Sequence, residues 1–102
     1  MEVRVTDNPD ERRYEAFADD GRLAGYVAYR LRPGLITLVH TEVDDEFEGE
    51  GVGSRLVSAA LDDARRRELA VHPVCPFVNS YIDRHRKYVD LVPEAQRPRF
   101  GL

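Results

Sequence analysis

The run Gly49-Glu50-Gly51-Val52-Gly53-Ser54 has the residue types and spacing needed to hold an anion. Glycine lets the main chain come close to a ligand, and the unpaired N–H groups in the first turn of a following helix favour negative charge there. A strand-like run ending at Val43 precedes these glycines and an amphipathic run starting at Val52 follows them, so the expected ligand is a phosphorylated cofactor. Two other phosphate motifs are excluded by spacing. A P-loop needs a lysine before its Ser or Thr, and Gly53-Ser54-Arg55 has none. A dinucleotide-binding turn needs its third glycine one residue beyond Gly53. A glycine turn that merely ends a strand is the alternative that these residues leave open.

Further residues with chemical potential lie on either side. His40 and Glu42 are two apart in a strand-like run, so they share a face, with Ile36 and Leu38 expected on that same face if the strand is regular. Cys75 is the only cysteine, which rules out an intrachain disulfide and points to a reducing cytoplasm. His40, His72 and His85 lack the paired spacing of metal ligands, so no metal site is expected.

The elements that must position these groups can be read from turns and periodicity. With 102 residues the chain is expected to be one small domain. A net charge of −4 argues against a nucleic-acid surface, and no apolar run is long enough to span a membrane. The opening residues show no signal-peptide pattern. Val3-Arg4-Val5 and Tyr14-Glu15-Ala16-Phe17 read as strands separated by Asp7-Asn8-Pro9-Asp10. Asp19-Asp20-Gly21 and Pro33-Gly34 then set off strands over residues 23–29 and 35–43, which makes an antiparallel meander. Val52, Leu56, Val57, Ala60, Leu61 and Ala64 recur at helical spacing and predict a helix over residues 52–68. Leu69-Ala70-Val71 with Val74 suggests a fifth strand, parallel to the fourth because a helix connects them. Residues 77–85 have helical character, and residues 93–102 are expected to form an irregular tail.

Strand, acidic loop, Gly-x-Gly, long helix, strand and short helix, in that order, resemble the cofactor half of the GNAT acetyltransferase superfamily, and most closely its small single-domain members. Val43, Phe47, Gly49, Gly51, Val52 and Gly53 stand where the strand-end valine and the Arg/Gln-x-x-Gly-x-Gly loop would fall. Val74-Cys75-Pro76-Phe77-Val78 and the run from Tyr81 to Tyr88 look like the small family's cysteine strand and following helix. The resemblance covers residues 2–92. It implies an α/β (α+β) GNAT-like fold: a mostly antiparallel mixed sheet, a long helix after strand four and a short helix after strand five. Glu48 departs from the superfamily pattern, and carboxylates at Glu48 and Glu50 would repel a diphosphate unless they point to solvent.

The same resemblance implies an acetyl-CoA-dependent N-acetyltransferase that binds coenzyme A through Val43, Gly49, Gly51, Val52, Gly53, Ser54 and Asn79. Asn79 has a second reading, as a cap of the short helix. Cys75 becomes a candidate acyl-accepting nucleophile, with His40, His72 and His85 as groups that could activate it, and a buried small hydrophobe as its other reading. Glu42 or His40 could serve as general base for an amine acceptor, and Tyr81 as the acid that protonates the departing thiol. The partners implied are a coenzyme A thioester and an unidentified acceptor, with a protein amine favoured because Val5 and Tyr14 are too close in sequence to hold the helices that enclose a small molecule. A non-catalytic acyl-CoA-binding or protein-interaction module is the alternative, since fold does not establish catalysis.

Overall fold

The computed structural model describes residues 2–102. Strands β1 (Arg4–Asn8), β2 (Arg13–Phe17), β3 (Leu23–Arg32) and β4 (Leu35–Val43) pair antiparallel in chain order, and β5 (Ala70–Pro73) pairs with β4 in parallel. Helix α1 (Val52–Arg66) crosses from β4 to β5, and helix α2 (Pro76–Arg84) follows β5. This is the mixed, mostly antiparallel α/β architecture expected from the order of elements.

Helix α1 forms because its apolar residues repeat at helical spacing. Leu56, Val57, Ala60, Leu61 and Ala64 are fully or almost fully buried, in one core with Ala16, Val27, Ile36 and Leu38 of the sheet. Polar ties hold the helix at its far end. Tyr14 Oη donates to Asp63 Oδ2 at 2.5 Å, Tyr88 Oη donates to Asp62 at 2.7 Å, and both terminal nitrogens of Arg65 donate to Asp90. The helix ends at Arg66, two residues earlier than its periodicity suggests. Glu68 turns left-handed (φ 57°) and the Leu69 N–H donates to the Ala64 carbonyl at 2.8 Å, a Schellman-type closure that sets the start of β5.

One irregularity in β4 decides which side chains reach the site. Tyr29 pairs with Leu38 but Ala28 pairs with His40, so Val39 is an extra residue on β4 and forms a β-bulge. The bulge reverses the alternation. Ile36 and Leu38 are buried, whereas His40 and Glu42 are exposed on the other side of the sheet, which corrects the expectation that all four share a face. Thr41, opposite buried Val27, takes the inward side instead.

Residues 93–102 contain two short 3-10 turns, Glu94–Gln96 and Pro98–Phe100, where an irregular tail was expected. They fold back onto the domain: Asn79 Nδ2 donates to the Phe100 carbonyl at 2.8 Å, Arg86 donates to the Leu102 carbonyl, and the Phe100 ring lies 5.8 Å from that of His72. Among the described residues no helix is long and apolar enough to cross a membrane.

Candidate functional site

The site begins where β4 and β5 part. Their pairing covers only Leu35 to Leu38 and stops at Pro73, which has no N–H to continue the ladder. The Cys75 N–H donates to the Leu38 carbonyl at 2.9 Å, and Pro76 then opens α2 at a position where a missing N–H costs nothing. From Val39 to Val43 the outer edge of β4 therefore has no strand partner among the described residues. Such an edge offers main-chain donors and acceptors to an extended ligand that carries amides.

The start of α1 lies at the end of that edge. Gly51 caps the helix with left-handed backbone (φ 77°), and no side chain satisfies the first turn. Helix geometry leaves the N–H groups of Val52, Gly53 and Ser54 without intrahelical acceptors, and the macrodipole makes this end positive. Val43, Phe47, Glu48, Gly49, Gly51, Val52, Gly53, Ser54 and Phe77 line a cleft of about 250 Å³ here. The structure thus brings Val43, Gly49, Gly51, Val52, Gly53 and Ser54 to one place, as their spacing suggested. It adds Phe47 and Phe77, which periodicity alone could not assign to a cleft. No lysine or arginine lines the cleft, and Glu48 does. Part of the neighbouring acidity is engaged locally: Asp44 accepts the Glu46 N–H at 3.0 Å and Glu46 pairs with Arg22.

His40 and Glu42 meet on the exposed side of the same strand end, with His40 Nε2 2.7 Å from Glu42 Oε2. The Tyr26 ring stands edge-on to His40 at 6.2 Å, and the Arg13 guanidinium lies over Tyr26 at 4.5 Å. Glu42 and Tyr26 also line a shallow cleft of about 120 Å³ together with Leu23, Gly25 and Asp44.

Cys75 lies on the inner side and is only 4% exposed. Its sulfur is 3.4 Å from Thr41 Oγ1, a contact created by the bulge at Val39 and therefore invisible to regular alternation. The histidines considered as activators of the thiol are engaged elsewhere: His40 with Glu42, His72 against Phe100, and His85 with the Tyr81 carbonyl at 2.9 Å. Tyr81 is buried, stacked on His85 at 4.0 Å and tilted against Tyr88 at 6.1 Å. Asn79 sits inside α2, whose cap position is Cys75, so it does not cap that helix, and its amide holds the chain's last turn away from the α1 cleft.

Comparison with known proteins agrees with this fold. A family model described as GCN5-related N-acetyl-transferase matches residues 13–91. Protein NATD1 of Mus musculus and of Homo sapiens are each 35% identical over 48 residues, 47% of this chain, and the match spans 44% and 42% of those proteins, less than half their length. The solution structure of a GCN5-like protein from Staphylococcus aureus superposes with a TM-score of 0.67 at 25% identity, covering 88% of this chain and 87% of that one. Nourseothricin acetyltransferase superposes with a TM-score of 0.51 at 28% identity over 84% of this chain and 66% of its own.

Proposed function

Because the chain belongs to the GCN5-related N-acetyltransferase family, whose members generally use acetyl-CoA, we propose that it transfers an acetyl group from acetyl-CoA directly to an amine. The observation that carries this reading is the parting of β4 from β5 immediately beside the open N-terminus of α1. One end of the site suits a diphosphate and the other suits an amide-bearing arm. In this reading the Val52, Gly53 and Ser54 N–H groups take the diphosphate, and the Val43 main chain takes the arm.

The acetyl carbonyl then rests against the unpaired edge of β4 between Val39 and Val43. The acceptor approaches from the open side, where His40 takes a proton from the ammonium and Glu42 holds the imidazole in position. The neutral amine nitrogen bonds to the carbonyl carbon, the C–S bond breaks, and the thiolate leaves with the proton that this nitrogen sheds as it becomes an amide. A buried thiol whose contact is a neutral hydroxyl lacks the adjacent base or cation that activates a nucleophilic cysteine, which favours direct transfer over an acetyl-cysteine intermediate. Tyr81 contributes packing, and Asn79 secures the C-terminal turn.

Calorimetric titration with acetyl-CoA, followed by intact-protein mass spectrometry under conditions that preserve thioesters, tests the reading. One-to-one binding without an adduct is expected, together with thiol release on addition of primary amines or peptide N-termini. His40→Gln should slow that release by about a hundredfold or more. A hydroxylamine-labile acetyl adduct that disappears in Cys75→Ser would replace direct transfer by an acyl-cysteine route. Binding without release for any amine would favour an acyl-CoA-binding module, and failure to bind acetyl-CoA would overturn the assignment.

A further inference from the structure

The two helices leave one face of the sheet bare. Leu56 and Leu61 of α1 and Val78 and Ile82 of α2 share one core with Val27 and Leu38, so both helices lie on the face that these strand residues occupy. By register and alternation the opposite face carries Arg4, Arg13, Glu15, Arg30, Arg32 and Glu42, together with His40. Charge on that face is unbalanced. Glu15 is buried and accepts from Arg13 at 2.7 Å and from Asn8 at 3.2 Å, and Glu42 pairs with His40. Among the described residues Arg4, Arg30 and Arg32 have no carboxylate partner. A chain with a net charge of −4 thus turns an arginine-rich surface to solvent on the side where His40 stands. Such a surface draws in anionic groups and turns away cationic ones.

We propose that this bare face selects the acceptor: it docks an acidic polypeptide segment whose reactive amine reaches His40 and whose carboxylates lie over Arg30 and Arg32. This rests on the acetyl-transfer reading given above and adds the acceptor's chemistry to it. The placement follows from strand register. His40 stands opposite Ala28, and Arg30 and Arg32 follow Ala28 along β3 at steps of two, so all three side chains share the bare face. At the rise of a strand the two arginines lie about 7 and 13 Å beyond the row of His40. An extended segment advances by the same rise, so with its terminal amine at His40 its third and fifth residues stand over Arg30 and Arg32. Each guanidinium can meet a carboxylate with two parallel N–H donors. Arg13 has less to offer, because it is engaged by Glu15 and lies over the Tyr26 ring at 4.5 Å. The pattern suits a polypeptide better than a nucleic acid. The arginines recur at the alternate spacing of an extended peptide's side chains, and Glu42 beside His40 would repel a continuous phosphate backbone.

Hexapeptides with a free N-terminus and glutamate, glutamine or lysine at positions three and five test the docking. With acetyl-CoA as donor, kcat/KM for thiol release should be about five- to tenfold higher for the glutamate peptide than for the glutamine one at low ionic strength, and the ratio should shrink in high salt. The lysine peptide should be the poorest acceptor. Arg30→Gln with Arg32→Gln should remove the preference and leave the rate with the glutamine peptide unchanged, whereas Arg30→Glu with Arg32→Glu should make the lysine peptide the best acceptor. Fluorescence anisotropy of the glutamate peptide, labelled at its C-terminus and titrated without acetyl-CoA, should show tighter binding to the native chain than to the double glutamine variant. Equal kcat/KM for the glutamate and glutamine peptides, or a preference that survives the double substitution, would overturn the proposal. Tighter binding of a single-stranded oligonucleotide of equal charge would overturn it in favour of a nucleic-acid partner. Thiol release with no peptide, while binding still depends on Arg30 and Arg32, would overturn the acetyl-transfer reading and keep the docking surface; binding indifferent to these arginines would overturn the docking surface itself.

Discussion

Gly25 sets how closely β3 and β4 approach beside the candidate site, and replacing it with alanine should damage both stability and ligand binding. A Cβ at this position would lie 2.6 Å from the Glu42 carbonyl oxygen, 3.3 Å from Val43 Cα and 3.3 Å from Leu56 Cδ1. An ordinary C···O contact is about 3.3 Å or more, so the strands must separate by roughly 0.7 Å. The two nearest obstacles on β4 are backbone atoms in a paired register, Gly25 opposite Val43 and Tyr26 opposite Glu42, and cannot swing aside. Overpacking of this kind typically costs about 1–3 kcal/mol, and the immobile contacts put Gly25→Ala in the upper part of that range. For a domain of this size about 2–3 kcal/mol corresponds to a fall in Tm of roughly 10–20 °C. Thermal unfolding followed by circular dichroism measures it, with acetyl-CoA titration on the same samples below the transition. Because Val43 moves with the strand, affinity should fall as well. Adding Leu56→Ala should not restore either quantity, since the carbonyl contact remains. A Tm within about 2 °C of the native value would refute the argument that a close strand approach, rather than turn flexibility, requires glycine here.

Other consequences follow from charge and backbone geometry. Glu48 lines the cleft proposed to hold the diphosphate, which has no lysine or arginine in its wall, so Glu48→Gln should tighten acetyl-CoA binding several-fold at low ionic strength, with the difference shrinking in high salt; unchanged affinity would mean that this carboxylate points away from the ligand. Glu68 holds a left-handed conformation without a glycine, and Glu68→Gly should raise stability by about 0.5–1 kcal/mol in urea unfolding, whereas a loss would show that the Glu68 side chain contributes more than its strain. Burial, then hydrogen bonds to Asp63, Asp7 and Asp62, raise the pKa values of Tyr14, Tyr29 and Tyr88, that of Tyr88 to about 12. The folded state therefore favours the neutral phenols, and the stability they contribute is complete below the ordinary value of 10.0 and should be lost as pH rises toward 12 and beyond, seen as a falling urea midpoint. Asp63 behaves in the opposite sense: burial raises its pKa, but hydrogen bonds from Tyr14, Arg66 and Arg67 outweigh it and hold the carboxyl below 3.8, so its contribution should disappear on acidification through that region and be absent in Tyr14→Phe with Asp63→Asn.

Much of this molecule is legible in local patterns. The turn residues at Asp19-Asp20-Gly21 and Pro33-Gly34 delimit β3 and β4, and the spacing of Leu56, Val57, Ala60, Leu61 and Ala64 determines α1, because each depends on neighbours within a few residues. The grouping of Val43 with Gly51, Val52, Gly53 and Ser54 was legible for the same reason: a strand end, a glycine turn and a helix start in succession leave little freedom in how they meet. Element ends were less so. Glu68 closes α1 early through a left-handed turn that no glycine announces, and residues 93–102 acquire their turns by docking onto Asn79 and His72.

What the sequence by itself determined is therefore the order and type of the elements and the succession of strand end, glycine turn and helix start at the loop, which arise from propensity and periodicity along the chain. Only the tertiary structure decided which side chains face one another across it. The bulge at Val39 moves Thr41 inward to Cys75 and turns His40 and Glu42 outward, and the contact of Phe77 with Gly53 joins residues 24 positions apart. Strand register and close backbone approach are set by the packing of the whole sheet against its helices, and a single extra residue reverses every assignment beyond it.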